Sequence, residues 1–258
     1  MPIITLTSDL GNISPYVSMV KGQILKKLER VQFVDISHEV AAYNTFEASF
    51  IIKQAIQNFP DNTIHLIMVN TLDSSTMRYL AIYINKQYFI APDNGIFSLI
   101  FSTEPNEIIE IGNIENELNN TFPIGSIFSK AACALANGAK LSDIGKPIST
   151  YKKSLVLQPV IQMNSIKGSV VYIDTFGNVV LNVSKQLFEE QRSDKNYIIS
   201  FGSSYTIKNI SNNYFDVAEG EILCLFNSLS LLEIAMNKGN AAQLLGLEIN
   251  NTIQIDFI

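Results

Sequence analysis

Four stretches of this chain gather residue types that do chemistry. The first apolar run ends in TSDLGN, which sets Asp9 ahead of Gly11. An acid at the end of a strand can accept hydrogen bonds from a sugar diol, although an Asp there also caps a following helix. The second run ends in DISHEVAAYNT. His38 is either an acid–base group or a loop histidine with a local hydrogen bond, and Tyr43 either walls a pocket or packs on the surface. The third ends in VNTLDSSTMR, small and polar from Asn70 to Arg78, a loop able to hold a water or an anion or simply to connect two strands. The fourth, VYIDTFGNVVLNVS, puts Asp174, Phe176, Gly177 and Asn178 at the tip of what otherwise reads as a buried hairpin.

The elements around these stretches follow from hydrophobic period. IITLTSD, VQFVDIS and TIHLIMVN read as buried strands. PYVSMVKGQILKKLE and TFEASFIIKQAIQNF carry apolar residues at helical spacing, the second capped by Asn44 or Thr45 with Glu47 in its first turn. YLAIYIN and QYFIAP form a hairpin around Lys86, and SIFSKAACALANG is a helix capped by Ser126 and stopped by Gly138. Alternating strands and helices predict an α/β domain with a mainly parallel sheet, and ligands of such sheets sit beyond the carboxyl ends of the strands. APDNG, residues 91–95, is explained as a turn by its residue types. Pro147, Ser149, Lys152 and Lys153 read as a linker. Short β-rich runs follow from Leu155, which predicts an all-β, barrel-like or sandwich domain. The boundaries are 1–148 and 155–258. Near its end, FNSLSLLEIAMNKGN places Asn227 and Ser228 after a strand and Glu233 inside an apolar run. Backbone groups of such a loop can read the edge of a base.

Composition narrows the classes. Of 258 residues, 47% are apolar and 16% charged, which supports a large core and argues against disorder. A net charge of −6 without a basic cluster disfavours a nucleic-acid partner. No apolar run reaches the roughly 18–20 residues that span a bilayer, and the first residues do not resemble a signal peptide. Two cysteines far apart, Cys133 and Cys224, read as reduced core residues of a cytoplasmic protein. His38 and His65 lack metal spacing, and there is neither CxxC nor HExxH, so no metal site is expected. The chain also lacks GxGxxG, which removes support for a dinucleotide fold.

Taken in order, TLTSDLG, YVSMVKG, VDISHEV, APDNG, IDTFGNVVLNV and SLLEIAMNKGNAA resemble the S-adenosylmethionine (SAM) hydroxide adenosyltransferase family, relatives of fluorinase and chlorinase. The resemblance implies an N-terminal α/β domain that binds the ribose and a C-terminal β-barrel-like domain. It also implies a homotrimer with SAM bound between subunits, SAM being substrate or ligand and no separate cofactor being needed. Carried over, Asp9 holds the ribose hydroxyls and Tyr43 takes the place of an aromatic wall. Asp174 binds the methionine amino group, while Phe176 and Asn178 pack against and hydrogen-bond adenine. Tyr214 is a stacking partner, Ser228 lies at the amino-acid end, and Asn227 beside it joins the substrate-binding set. The DTFGN tip then becomes a ligand clamp, with Gly177 allowing the bend.

The implied reaction is attack of water on C5′ of SAM, with methionine leaving. Family hydrolases use an Asp–Arg–His set for it, and this chain departs from that set. The Asp position is Asn70, which is neutral. Arg78 is kept in a loop one residue longer, and the His position falls at Pro123. Asp73, three residues after Asn70, is a replacement candidate. Three readings stay open: a hydrolase with a rewired water site, a SAM or adenosine binder of little activity, or an adenosyl transferase using halide. Against the last, the halogenase YPATGT loop is absent.

Overall fold

In a computed structural model, which describes residues 1–71, 77–112, 122–155, 157–201 and 205–258, the chain divides into two units, Met1–Leu155 and Val156–Ile258. The first unit contains strands β1 (Ile3–Ser8), β2 (Gln32–Ser37), β3 (Ile64–Met68), β4 (Tyr79–Ile84), β5 (Gln87–Pro92), β6 (Glu107–Ile111) and β7 (Gly145–Pro147). Its helices are α1 (Tyr16–Leu25), α2 (Thr45–Ile56), α3 (Ile96–Ile100) and α4 (Pro123–Ala136). The sheet order is β2-β1-β3-β5-β4-β6-β7.

That sheet corrects the expectation of a mainly parallel one. The β1–β2, β1–β3 and β3–β5 pairs are parallel, whereas β4–β5, β4–β6 and β6–β7 are antiparallel. The cause is local. Asn85 and Lys86 both have positive φ and turn β4 straight back into β5, leaving no crossover helix. The parallel half still brings the carboxyl ends of β1, β2, β3 and β5 to one edge. Because β4 runs the other way, its first residues, next to Arg78, reach that edge too.

Alternation along the strands feeds two cores. Ile4, Leu6, Ile64 and Leu66 face one side with Val20 and Ile24 of α1 and Phe128 of α4. Ile67, Ile82 and Phe89 face the other with Ala48 and Ile52 of α2 and Phe97 of α3. On the second side the Thr5 hydroxyl meets His65 Nδ1 at 2.7 Å, and the His65 ring stacks on Phe89. Burial pushes the imidazole pKa down to about 4, so His65 is a neutral core residue.

Helix α2 is capped as expected, Asn44 Oδ1 accepting from the Glu47 N–H at 3.1 Å. Helix α4 starts earlier than Ser126, with Pro123 in its first turn. Proline suits that place because the first N–H of a helix has no partner to lose. The stretch after Pro147 is not a free linker. Tyr151 packs against the second core, and the Lys152 N–H donates to Asp93 Oδ1 at 2.7 Å.

The second unit contains β8 (Val160–Gln162), β9 (Ser165–Ile173), β10 (Val179–Ser184), α5 (Lys185–Arg192), β11 (Tyr197–Phe201), β12 (Tyr205–Ile207), β13 (Ile210–Ser211), β14 (Ile222–Phe226), β15 (Leu231–Met236), α6 (Ala241–Leu245) and β16 (Thr252–Phe257). The strands run β12-β11-β16-β9-β10-β15-β14-β13, with β8 also on β9, in a nearly barrel-shaped sheet. It encloses Val170, Leu181, Phe188, Ile199, Ile234 and Ile255. The unit is not all-β. Ser184 ends β10 and caps α5 by accepting from the Leu187 N–H, and Asn240 caps α6.

Candidate functional site

At the edge where the parallel strands end, the Asp9 carboxylate is fixed by backbone. Its Oδ2 accepts from the Tyr43 N–H at 2.9 Å and the Asn70 N–H at 3.1 Å. Both donors belong to residues with positive φ, Tyr43 at 65° and Asn70 at 49°. That conformation turns their N–H groups toward Asp9, and asparagine tolerates it better than most residues. Among the described residues nothing hydrogen-bonds Asp9 Oδ1, so one carboxylate oxygen is left to accept hydroxyls. The Tyr43 side chain is 74% exposed and open to a ligand.

His38 is buried and belongs to a chain of contacts that runs outward to the surface. Its Nδ1 lies 2.7 Å from Ser8 Oγ and its Nε2 lies 3.1 Å from Asp35 Oδ1. Asp35 in turn pairs with Lys21 at 2.6 Å. The His38 carbonyl accepts from the Gly11 N–H, which ties the loop after β2 to the loop after β1. The sequence left His38 between catalysis and local bonding, and its place here is an anchor beside Asp9.

Arg78 is engaged rather than free. Its guanidinium forms a short ion pair with Asp93, with Nε at 3.0 Å from Asp93 Oδ2, and Nη1 lies 3.6 Å from Glu110. The APDNG stretch is therefore more than a turn. Asp93 holds Arg78 and the Lys152 N–H. Asn94 is 6% exposed and donates to the carbonyls of Val69 and Asn70 at 3.0 and 3.1 Å. Gly95, at φ 94°, leaves room for Ser154, whose Oγ would lie 2.0 Å from an added Cβ. These residues brace the loop that carries Asn70. Asp73 lies outside the described residues. Pro123 is buried in the first turn of α4 and offers no polar group.

In the second unit, DTFGN is a tight turn built around Asp174. Asp174 Oδ1 accepts from the N–H groups of Phe176 and Asn178, both at 2.9 Å, and Oδ2 accepts from Asn178 Nδ2 at 3.0 Å. This amide orientation leaves Asn178 Oδ1 without a partner among the described residues, although Asn178 is only 8% exposed. Gly177 has φ 82°, and a Cβ there would fall 2.1 Å from Asn240 Oδ1. The turn thus seats on the start of α6, with the Ala242 N–H donating to the Gly177 carbonyl. The Phe176 ring stands 75% exposed.

Beside this turn lies a group that sequence reasoning did not assign to the site. Glu233 on β15 is 4% exposed. Tyr214 Oη donates to its Oε1 at 2.8 Å and Asn227 Nδ2 to its Oε2 at 3.1 Å. Burial raises the Glu233 pKa and the nearby Asp174 charge adds to it, while the two hydrogen bonds oppose the rise. Burial and the bond to Glu233 also push the Tyr214 phenol up. The signal was present in LLEIAM, where a lone acid interrupts an apolar strand. Asn227 Oδ1 accepts from the N–H groups of Leu229 and Leu231 and shapes the turn on which Ser228 stands exposed.

Among the described residues no cluster of His, Cys, Asp and Glu suits a metal ion, and no helix is long and apolar enough to cross a membrane. Both cysteines are buried and free.

Comparison with known proteins gives these features a family. Residues 4–145 match the model of the SAM hydroxide adenosyltransferase N-terminal domain, and residues 168–254 match that of the C-terminal domain. The chain is 26% identical to the (R)-S-adenosyl-L-methionine hydrolase of Methanocaldococcus jannaschii, over 99% of this chain and 96% of that protein. It is 21% identical to the fluorinase of Actinopolyspora mzabensis, over 98% and 97% of the two chains. A conserved protein from Thermotoga maritima of known crystal structure is 30% identical and superposes with a TM-score of 0.88, over 98% and 99% of the two chains.

Proposed function

The chain belongs to the SAM hydroxide adenosyltransferase family, and on that premise we propose that it hydrolyses SAM to adenosine and methionine. The observation that carries the reading is the Asp9 carboxylate. It is held through one oxygen by two backbone N–H groups and is open at the other, at the edge where sheets of this kind bind ligands. In this reading Asp9 takes the ribose hydroxyls and Tyr43 covers the sugar. Asp174 faces the methionine amino group, and Phe176, Asn178 and Tyr214 take adenine. Asn227 and Ser228 lie at the amino-acid end.

The chemistry asks little of a base. A water oxygen forms a bond to C5′ while the C5′–S bond breaks. Its electron pair goes to sulfur, turning a sulfonium into the neutral thioether of methionine. The water's second proton is released to solvent. Because the leaving group is already cationic in the ground state, in-line placement and desolvation of the water carry most of the rate. Asn70 can orient that water but cannot remove its proton. Asp73 is the remaining acid of the loop to which the base role is proposed.

A second reading, a binder with little turnover, draws on Arg78 and Pro123. Arg78 is neutralised by Asp93 and Glu110, and Pro123 brings no side chain able to hold water. Incubation with SAM, with and without chloride or fluoride, followed by chromatography separates the readings. Adenosine and methionine formed in equal amounts, independent of halide, is the expected result. Saturable binding without product supports the binder, and a halogenated nucleoside means that halide is the nucleophile. A homotrimer as the binding unit belongs to the same proposal, and a monomer by light scattering that still binds SAM would remove it. Two reduced, buried thiols agree with a cytoplasmic setting.

A further inference from the structure

Strand register puts Glu233 and Asp174 on one face of the barrel wall. Val180 lies opposite Tyr172 on one side and Glu233 on the other. Side chains alternate along a strand, so Asp174, two residues beyond Tyr172, shares their face. The neighbouring residues Val179 and Ile234 point the opposite way, into the core. Two carboxylates therefore stand together outside the core, one of them almost fully buried.

Among the described residues of the second unit, no Lys, Arg or His lies within ion-pair distance of Glu233 or Asp174. The donors to Glu233 are a phenol and an amide, both neutral. A buried carboxylate without a counter-charge is costly, and a wall built for stability alone would be served better by an amide or an apolar residue. A separate group points to a ligand at the same place. Asn178, 8% exposed, donates to Asp174 through its backbone N–H and its side-chain Nδ2, and its Oδ1 has no partner among the described residues.

We infer that Glu233 makes this subsite selective for a cationic ligand, and that it does so while fixing the Tyr214 hydroxyl and the Asn227 amide around that ligand. The inference rests on the proposed SAM reading and goes beyond it. SAM carries a sulfonium and an ammonium, whereas adenosine is neutral. Both carboxylates accept only from neutral donors and keep their charge, so the buried Glu233 adds to Asp174 a second negative charge that tells substrate from product. Tyr214 and Asn227 are consequently held from behind by one carboxylate, which makes Glu233 a positioning residue as well as a charge.

Calorimetric titration of SAM and of adenosine into the parent protein and the Glu233→Gln variant tests this. Gln keeps the shape and an acceptor but removes the charge. The variant is expected to lose about tenfold or more in SAM affinity, as for loss of a partner in a desolvated charge pair, while its adenosine affinity stays within about twofold. Its thermal midpoint is expected not to fall. Equal loss of both ligands would show a scaffold role only, and unchanged SAM affinity would remove the charge role, so either overturns the inference while the SAM reading stands. A parent that binds neither ligand overturns the SAM reading and this inference together. If Glu233→Gln does not fold, Tyr214→Phe serves. It removes one donor that favours the charged carboxylate, and should lower the preference for SAM over adenosine severalfold; an unchanged preference overturns the inference.

Discussion

The two loop systems proposed to face the ligand differ in what their carboxylates have left to offer. Asp9 in the first unit spends one oxygen on backbone N–H groups and keeps the other open. Asp174 in the second unit accepts from its own turn through both oxygens, while the neighbouring Glu233 is buried with neutral donors and, among the described residues of that unit, no cation in ion-pair reach. The first arrangement suits hydroxyls, which need an acceptor and no net charge. The second suits a cation, which gains from a field that is already in place. Arg78 makes the contrast sharper. In the first unit the Arg78 cation is already paired, by Asp93 and Glu110, before any ligand arrives. What a site leaves unsatisfied is a better guide to its ligand than which residue types it contains.

The largest effect is expected at Asp9. Asp9→Asn keeps a carbonyl for the Tyr43 and Asn70 N–H groups but turns an N–H₂ toward the ligand. Hydrogen bonds to a charged acceptor are worth about 1.5–3 kcal/mol each, so losing two should cost at least about a hundredfold in adenosine affinity with the fold intact. Full affinity in Asp9→Asn, measured by calorimetry, would break the contrast at its first half. Next comes Arg78→Ala, which strands the buried Asp93 carboxylate. Breaking such a pair should lower stability by about 2–3 kcal/mol in denaturant titration, and Asp93→Asn combined with it should recover part of the loss. A variant as stable as the parent that has lost turnover would instead make Arg78 catalytic.

Asn178→Ala removes the unpartnered Oδ1 and should weaken SAM and adenosine alike by about 1–2 kcal/mol, the cost of leaving a buried donor unmet. Loss confined to SAM would move Asn178 from the adenine to the charged end. The smallest effect is on stability at Glu233. Its raised pKa means that the folded protein holds the proton more tightly than the unfolded chain does. This contribution is fully present below the ordinary Glu value of 4.5 and is lost as pH rises through the raised range. The amide of Glu233→Gln does not titrate. Its melting temperature relative to the parent should therefore rise as pH climbs above the ordinary Glu value of 4.5. A gap that stays constant with pH would mean that burial of the charge is already compensated.

Much of this was legible in the chain, and the exceptions are instructive. Period and caps gave the strands of the first unit, the hairpin at Lys86 and the Asn44 cap, because these depend on neighbours in sequence. Sheet direction was misjudged where two left-handed residues reverse the chain. Ser126 was expected as a cap because its residue type suits one, but α4 begins at Pro123, whose ring suits the first turn. APDNG read as a turn because its residues suit one. Its longer-range duty, Asp93 on Arg78 and Asn94 on the carbonyls beneath Asn70, depends on contacts across the sheet that no local pattern displays. Glu233 was visible only as an acid in an apolar strand.

The sequence by itself determined the family, the strand and helix periods and the polar residue types at the strand ends, because each is written in local order along the chain. Only the tertiary structure decided which of those polar groups are spent and which are open. That question turns on partners remote in sequence. Tyr43 and Asn70 fill one oxygen of Asp9 from 34 and 61 residues away, and Tyr214 reaches Glu233 across 19. A hydrogen bond acts over about 3 Å, so only folding, which makes distant residues neighbours, fixes what a carboxylate has left to give.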